Sequence, residues 1–170
     1  MLRVDLEELA REGSLPVEAC IAADGELWQE TDLAWASDVR VRLWASFAGT
    51  GEVIVRGRVQ AELAQECARC LQPVSTSFGT EVTLVFMPGR EDGDSDDGGT
   101  YVFDPERAEL DLSGAVREEV IFAVDQYVVC DSECPGLCSK CGANLNDGAC
   151  DCRNDELDPR WEALRSLKDK

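Results

Sequence analysis

Nine cysteines and no histidine set the chemistry open to this 170-residue chain. Two lie in Cys67-Ala-Arg-Cys70, two in Cys138-Ser-Lys-Cys141-Gly142 and two in Cys150-Asp-Cys152. Cys130 and Cys134 sit just upstream of the second pair, and Cys20 stands alone. A Cys-x-x-Cys turn lets two thiolates reach one ion, and four thiolates complete the tetrahedron that zinc prefers. Cys138, Cys141, Cys150 and Cys152 fall within fifteen residues, with Gly142 and Gly148 between them. Closing a site there costs little loop entropy, so these four are the first-choice zinc ligands. Cys67, Cys70, Cys130 and Cys134 are the second choice. Other partitions stay open at this point. Cys67 and Cys70 could join Cys138 and Cys141, Cys130 and Cys134 could supply that second pair instead, or eight cysteines could make two sites.

The same composition removes several reactions. Without histidine, neither a Ser-His-Asp nor a Cys-His arrangement can form within the chain. A catalytic zinc keeps an open position and wants a nearby base, whereas abundant thiolates point to a closed, structural site. A thiol oxidoreductase needs its Cys-x-x-Cys at a helix N-terminus after a strand. Cys67 follows a strand, but Leu71-Gln72-Pro73 resumes extended structure, so this is the weakest alternative. The expectation is a protein that is not an enzyme and has no small-molecule substrate.

Charge narrows the partners. Thirty-five acids against sixteen bases give a net charge of −19, which repels phosphate backbones globally. A nucleic-acid role then requires a local basic patch; the alternative is an acidic binding module for a basic partner. Residues 39–63 offer such a patch. Val41, Leu43, Ala45 and Phe47 alternate, as do Val53, Val55, Val59, Ala61 and Leu63, and Gly49-Thr50-Gly51 is a hairpin connection. Pairing Ala48 with Glu52 puts every apolar residue on one face. The other face then collects Arg40, Arg42, Trp44, Arg56 and Arg58, with Arg42 opposite Arg58 and Trp44 opposite Arg56. Read functionally, this is a partner-binding surface for phosphates or bases. Read plainly, it is a solvated face with a cation–π contact.

Other elements frame these groups. Leu2, Leu6 and Leu9 have helical spacing that stops at Gly13, and Val17 to Ile21 reads as a first strand. Phe78, Val82, Leu84 and Phe86 alternate in a third long strand. An acidic, glycine-rich loop covers 88–100 and cannot bury enough apolar surface to order itself. Tyr101 to Phe103 is a short strand. Leu112, Ala115, Val116, Val120 and Ala123 describe an amphipathic helix with Ser113 as N-cap. Asp158-Pro159 starts a last helix that presents Leu157, Trp161, Leu164 and Leu167. No internal repeat is evident. The fold class is α+β: an antiparallel sheet over residues 17–86, open or barrel-like, with a packed helix and a cysteine-rich, zinc-binding C-terminal tail. The expected division is an α+β domain over 1–129 and the tail with its helix over 130–170. No run approaches the ~18 apolar residues of a membrane span, and the start does not look like a signal peptide. A cytoplasmic protein without a membrane partner is expected.

Four segments together resemble a known family. Glu66-Cys-Ala-Arg-Cys-Leu-Gln-Pro73 is similar to its "ECxRCLxP" signature. Leu110-Asp111-Leu112 followed by Arg117-Glu118-Glu119-Val120 resembles its "IDL…REEL" helix. Gly136-Leu-Cys-Ser-Lys-Cys-Gly-Ala-Asn-Leu-Asn146, then Cys150-Asp-Cys152 and Asp158-Pro159-Arg160-Trp161, looks like its C-terminal end. On these motifs the chain resembles the YceD, or large ribosomal RNA subunit accumulation protein, family, a resemblance that covers roughly residues 15–168. One departure is Ala123-Val124-Asp125-Gln126, where the family pattern has a proline. The resemblance implies a cytosolic, non-catalytic role in accumulation or processing of large-subunit (23S) ribosomal RNA. The implied partner is that RNA or a pre-ribosomal particle. Family genes commonly neighbour that of ribosomal protein bL32, which makes a basic ribosomal protein the alternative partner.

Overall fold

Alternating valine and leucine force residues 39–88 into long strands, because only a period of two puts those side chains on one buried face. The computed structural model describes residues 2–49, 51–89 and 100–152. Its strands are β1 (Arg3–Asp5), β2 (Ser14–Ile21), β3 (Val39–Phe47), β4 (Val53–Glu66), β5 (Pro73–Pro88), β6 (Thr100–Phe103) and β7 (Glu109–Asp111), and its helices are α1 (Leu6–Glu12) and α2 (Ser113–Ala123). A single 3-10 turn covers Glu26–Trp28. Two compact units result. One combines the chain up to Gln65 with Val74–Gln126; the other combines Glu66–Pro73 with the chain from Tyr127 onward.

In the first unit five strands form one sheet in the order β2-β3-β4-β5-β6, and β1 pairs with β7 in a second, two-stranded sheet. The β3–β4 hairpin has the register expected from its alternation, with Val41 opposite Val59 and Phe47 opposite Val53. Val39, Val41, Leu43 and Ala45 are buried with Val53, Val55, Val59 and Leu63, and Phe78, Val82, Leu84 and Phe86 of β5 join them. Of the two forms left open by the sequence, the sheet takes the open one, with β2 and β6 at its ends. Two expectations need correction. The sheet is mixed rather than antiparallel, because β6 runs parallel to β5. Leu2 precedes a strand instead of starting a helix; it is buried beside Leu6 and Leu9, so its burial is real although its period is not helical.

α1 is capped by Asp5, whose side chain accepts from the Glu8 N–H, and it ends at Gly13. α2 buries Ala115, Val116 and Val120. Its N-cap is Leu112 rather than Ser113, and Asp111 does the capping chemistry: its carboxylate accepts the Ser113 N–H at 2.8 Å. Asp111→Ala should therefore cost about 1 kcal/mol, read as a lowered unfolding midpoint without loss of sheet signal. Trp28 and Trp35 are buried in the same core, with ring centroids 5.1 Å apart, and Trp35 meets Phe78 edge-on at 5.7 Å. Residues 90–99 of the acidic loop, and the proposed last helix with Leu157, Trp161, Leu164 and Leu167, lie outside the described residues. No helix among the described residues is long and apolar enough to cross a membrane.

Candidate metal centres

The second unit has almost nothing apolar inside. Among its described residues only Cys67, Cys70, Cys134 and Gly136 are buried. Segments this short cannot hold a fold without a core unless something staples them. The cysteines are placed to be that staple. The sulfurs of Cys67, Cys70, Cys130 and Cys134 all lie within 4.8 Å of one another, and so do those of Cys138, Cys141, Cys150 and Cys152. Both sets could hold a metal ion. Cys67 and Cys70 thus meet Cys130 and Cys134, not Cys138 and Cys141. Cys20 stays apart on β2, its thiol 3.8 Å from Asp38.

Two turns of the same shape build these sites. In the first, the Cys67 N–H donates to the Gln72 carbonyl at 2.8 Å, the Leu71 N–H to the Cys67 carbonyl at 2.9 Å, and the Arg69 N–H to the Cys67 sulfur at 3.4 Å. In the second, Cys138 N–H donates to Ala143 at 2.8 Å, Gly142 N–H to Cys138 at 2.9 Å, and Lys140 N–H to the Cys138 sulfur at 3.4 Å. This is an internal repeat that the sequence conceals. Only Cys-x-(Arg or Lys)-Cys is common to both, because the hydrogen bonds come from the backbone. The turn needs a left-handed residue after its second cysteine, with φ 60° at Leu71 and 72° at Gly142. Glycine adopts that geometry freely; leucine does so at a cost of roughly 1–2 kcal/mol. Leu71 is also 58% exposed, so burial offsets little of it. Leu71→Gly should raise the denaturant midpoint of this unit by the equivalent of about 1 kcal/mol, and Gly142→Ala should lower it by a similar amount.

The two sites differ in depth and in what surrounds them. The first is closed: Cys67, Cys70 and Cys134 are buried, and Cys130 is exposed. Arg69 ties it together by donating to the Ser132 and Cys134 carbonyls at 3.1 and 3.0 Å. Asn146 reaches over from the second turn to donate its side-chain N–H to the Cys134 sulfur at 3.4 Å. The second site is shallower, with Cys141 and Cys152 exposed. It sits on a small loop closed by an antiparallel bridge between Leu137 and Asn144. Sequence reasoning missed Arg69, Asn146 and Leu71. Superposing the two Cys-x-x-Cys hexapeptides would have flagged Arg69 beside Lys140 and Leu71 beside Gly142.

Packing four thiols this closely splits their acidity, since adjacent thiolates repel. Burial pushes the Cys67 thiol up, but backbone N–H groups of Cys130, Arg69 and Cys70 outweigh it and bring it down to about 6. Asn146 lowers Cys134. Cys130, hydrogen-bonded to Cys134 and Cys70 and partly desolvated, is pushed up to about 12. In Cys70 burial and the Cys67 thiol outweigh the Gln72 backbone and raise it. The second site repeats this. Backbone N–H groups of Cys141 and Lys140 bring Cys138 down to about 6, and Cys141 with burial pushes Cys152 up to about 12. Cys150 is raised by Cys138 and burial against the Cys152 backbone. A divalent cation is what lets all four ionise together.

Comparison with known proteins places this geometry. The sequence profile of the family described as "Large ribosomal RNA subunit accumulation protein YceD" matches residues 55–168, more than half of the chain and all eight clustered cysteines. The chain belongs to the YceD family. It is 41% identical, over 40% of its own length and 21% of the relative's, to the Arabidopsis thaliana protein named large ribosomal RNA subunit accumulation protein YCED homolog 1, chloroplastic. It is 34% identical to an uncharacterized Mycobacterium tuberculosis protein over 66% of this chain and 54% of that one, and 28% identical to an uncharacterized Mycobacterium leprae protein over 68% and 53%. The chain thus spans about half or less of the length of these curated relatives. No solved structure matches it. The YceD match begins within β4, so β2, β3 and the arginines on β3 fall outside it.

Proposed function

We propose that this chain is a non-catalytic ribosome-biogenesis factor that supports accumulation of the large-subunit (23S) ribosomal RNA, with zinc in both cysteine clusters holding its second unit in shape. The observation that carries the reading is a unit whose described residues bury no apolar side chain other than cysteine, in a member of the YceD family. Zinc suits the donor set: it is redox-inert, favours thiolates, and takes four of them in closed structural sites. Committing eight thiols to two ions leaves Cys20 alone, and with no histidine to activate it the chain has no evident nucleophile. That argues against a thiol oxidoreductase.

Removing the gene should lower 23S relative to small-subunit ribosomal RNA and deplete free large subunits in gradient profiles. Normal ratios and normal profiles would overturn the reading. The net charge of −19 supports a second possibility, a chaperone for a basic ribosomal protein in the cytoplasm or wherever the ribosome is assembled. It requires RNase-resistant co-purification of such a protein.

Proton competition gives a further check. At pH 7 Cys70 and Cys130 are thiols in the first site, and Cys150 and Cys152 in the second, because all four are raised. Binding must expel at least these two protons per site, so apparent affinity should rise at least about a hundredfold per pH unit near neutrality and fall as pH drops. Below about 6, Cys67 and Cys138 also protonate and the slope steepens. Competition with a chelating dye, corrected for the dye's own protonation, measures this.

A further inference from the structure

Four of the ten described cations of this acidic chain are already engaged. Among the described residues, Arg3 pairs with Glu109 and Asp111, Arg11 pairs with Glu12, and Arg69 and Arg117 donate to backbone carbonyls. Arg40, Arg42, Arg56, Arg58, Arg107 and Lys140 are left with no ion pair or side-chain hydrogen bond among those residues. Four of these six stand on one sheet face. β3–β4 pairing sets Arg42 directly opposite Arg58 and Trp44 opposite Arg56, with Arg40 two residues along. All five side chains are exposed, and Trp44 is 53% exposed.

This arrangement carries a cost that the fold does not require. Like charges placed opposite each other on neighbouring strands are destabilising. A half-exposed tryptophan among them gains no ring contact among the described residues. Glu18 faces Arg42 from β2 but forms no ion pair with it, and Glu62 follows on β4 only beyond Arg40's partner Gln60. Beside the arginines lies an open depression of about 300 Å³ lined by Glu18, Ala19, Cys20, Arg40, Val41 and Arg42.

We propose that the Arg40–Arg42–Trp44–Arg56–Arg58 face binds single-stranded RNA, its guanidiniums holding successive phosphates while a base stacks on Trp44. Guanidinium is the donor best matched to phosphate oxygens. A flat strand face with an exposed aromatic ring stacks any unpaired base, whereas bases in a duplex are already stacked. The tryptophan is what favours RNA over an acidic protein segment, which needs cations but no stacking platform. Arg40 to Trp44 spans about 13 Å of strand, the reach of about four stacked nucleotides at roughly 3.4 Å each. With the whole chain at −19, the surface away from these arginines repels RNA and so confines it to this face.

The inference rests on the ribosomal-RNA role proposed above, and its test separates the two. The full-length, metal-loaded chain is titrated onto a fluorescently labelled, unstructured 12-nucleotide RNA and read by anisotropy between 50 and 200 mM salt. About four phosphate contacts on a single strand give a log–log salt slope near −2.8. Arg42→Gln with Arg58→Gln should weaken binding at least tenfold and roughly halve that slope, and Trp44→Ala should weaken it about tenfold with the slope kept. Arg42→Lys with Arg58→Lys should stay within a few-fold of the parent, and Arg107→Gln should match it. Circular dichroism checks that each variant is folded. Absence of binding by the parent chain, unchanged affinity in the Gln and Trp44 variants, equal affinity for the matching duplex, or equal competition by polyglutamate would each overturn the proposal. The last would assign the face to an acidic protein. If removing the gene lowers 23S RNA while the variants bind as the parent does, the face is wrong and the role stands; normal 23S RNA without the gene removes the role whatever the face binds.

Discussion

Cys67→Ser should remove one of the two zinc ions proposed above and unfold the cysteine-rich unit, while the sheet and α2 of the first unit stay folded. Cys67 is fully buried and is a member of the closed site. An intact structural zinc site is worth about 10 kcal/mol or more of folding free energy. The described residues of the unit around it form no apolar core, so losing one ligand should remove most of what holds them. Cys141→Ser should also lose one ion but do less damage, because Cys141 is exposed and its loop is closed by the Leu137–Asn144 bridge. The two sites are linked: Asn146, carried by the second loop, donates to Cys134 of the first site. Elemental analysis of each variant, with limited proteolysis to map which segment is cut, reads the difference. Cleavage confined to residues 66–73 and 127 onward is the expected pattern for Cys67→Ser.

Gly57→Ala is the second large effect, and it acts on the other unit. Gly57 lies opposite Leu43 in the β3–β4 ladder. A Cβ there would overlap the Arg42 carbonyl oxygen and come within 2.7 Å of the Leu43 Cα. Both are backbone atoms in the middle of a sheet, so the strands must part rather than a side chain swing away. The cost should be about 3–5 kcal/mol, or a fall of roughly 10–20 °C in Tm for a unit of this size. Gly79→Ala on β5 is the control, since nothing lies within 4 Å of a Cβ at that position. Gly57 also sits between Arg56 and Arg58, so the same substitution should disturb the arginine face before the unit unfolds completely.

The β3–β4 register was legible because it is over-determined: valine and leucine alternate with arginine over both strands, and a slip by one residue would bury four guanidiniums. β5 was legible for the same reason. The small pairings were not. β1 and β7 are three residues each and lie more than a hundred residues apart, and β6 joins β5 in parallel only after the acidic loop. Nothing local in Thr100–Phe103 encodes that direction. Asp111 took over the capping role expected of Ser113 because the chain turns one residue earlier, at Leu112.

The candidate metal sites were legible in kind but not in partition. Spacing pointed to thiolate chelation, and the missing histidine made it all-thiolate. Which four cysteines meet depends on where the turn after β4 lies relative to residues 130–134, a long-range matter that spacing does not encode. The repeated turn was hidden for a different reason. Its shape is written in backbone hydrogen bonds, and at its left-handed position one copy carries leucine where the other carries glycine. Arg69 and Asn146 act on sulfur or carbonyl groups more than ten residues away, so neither had a local signature.

Native mass spectrometry of the full chain, purified without added metal and without chelator, tests the central claim most directly. The chain should carry two zinc ions, both lost together with cooperative exposure of eight thiols to alkylation when the solution is acidified. A metal-free chain whose eight clustered thiols alkylate at once at neutral pH, with the unit from Tyr127 still folded, would contradict it.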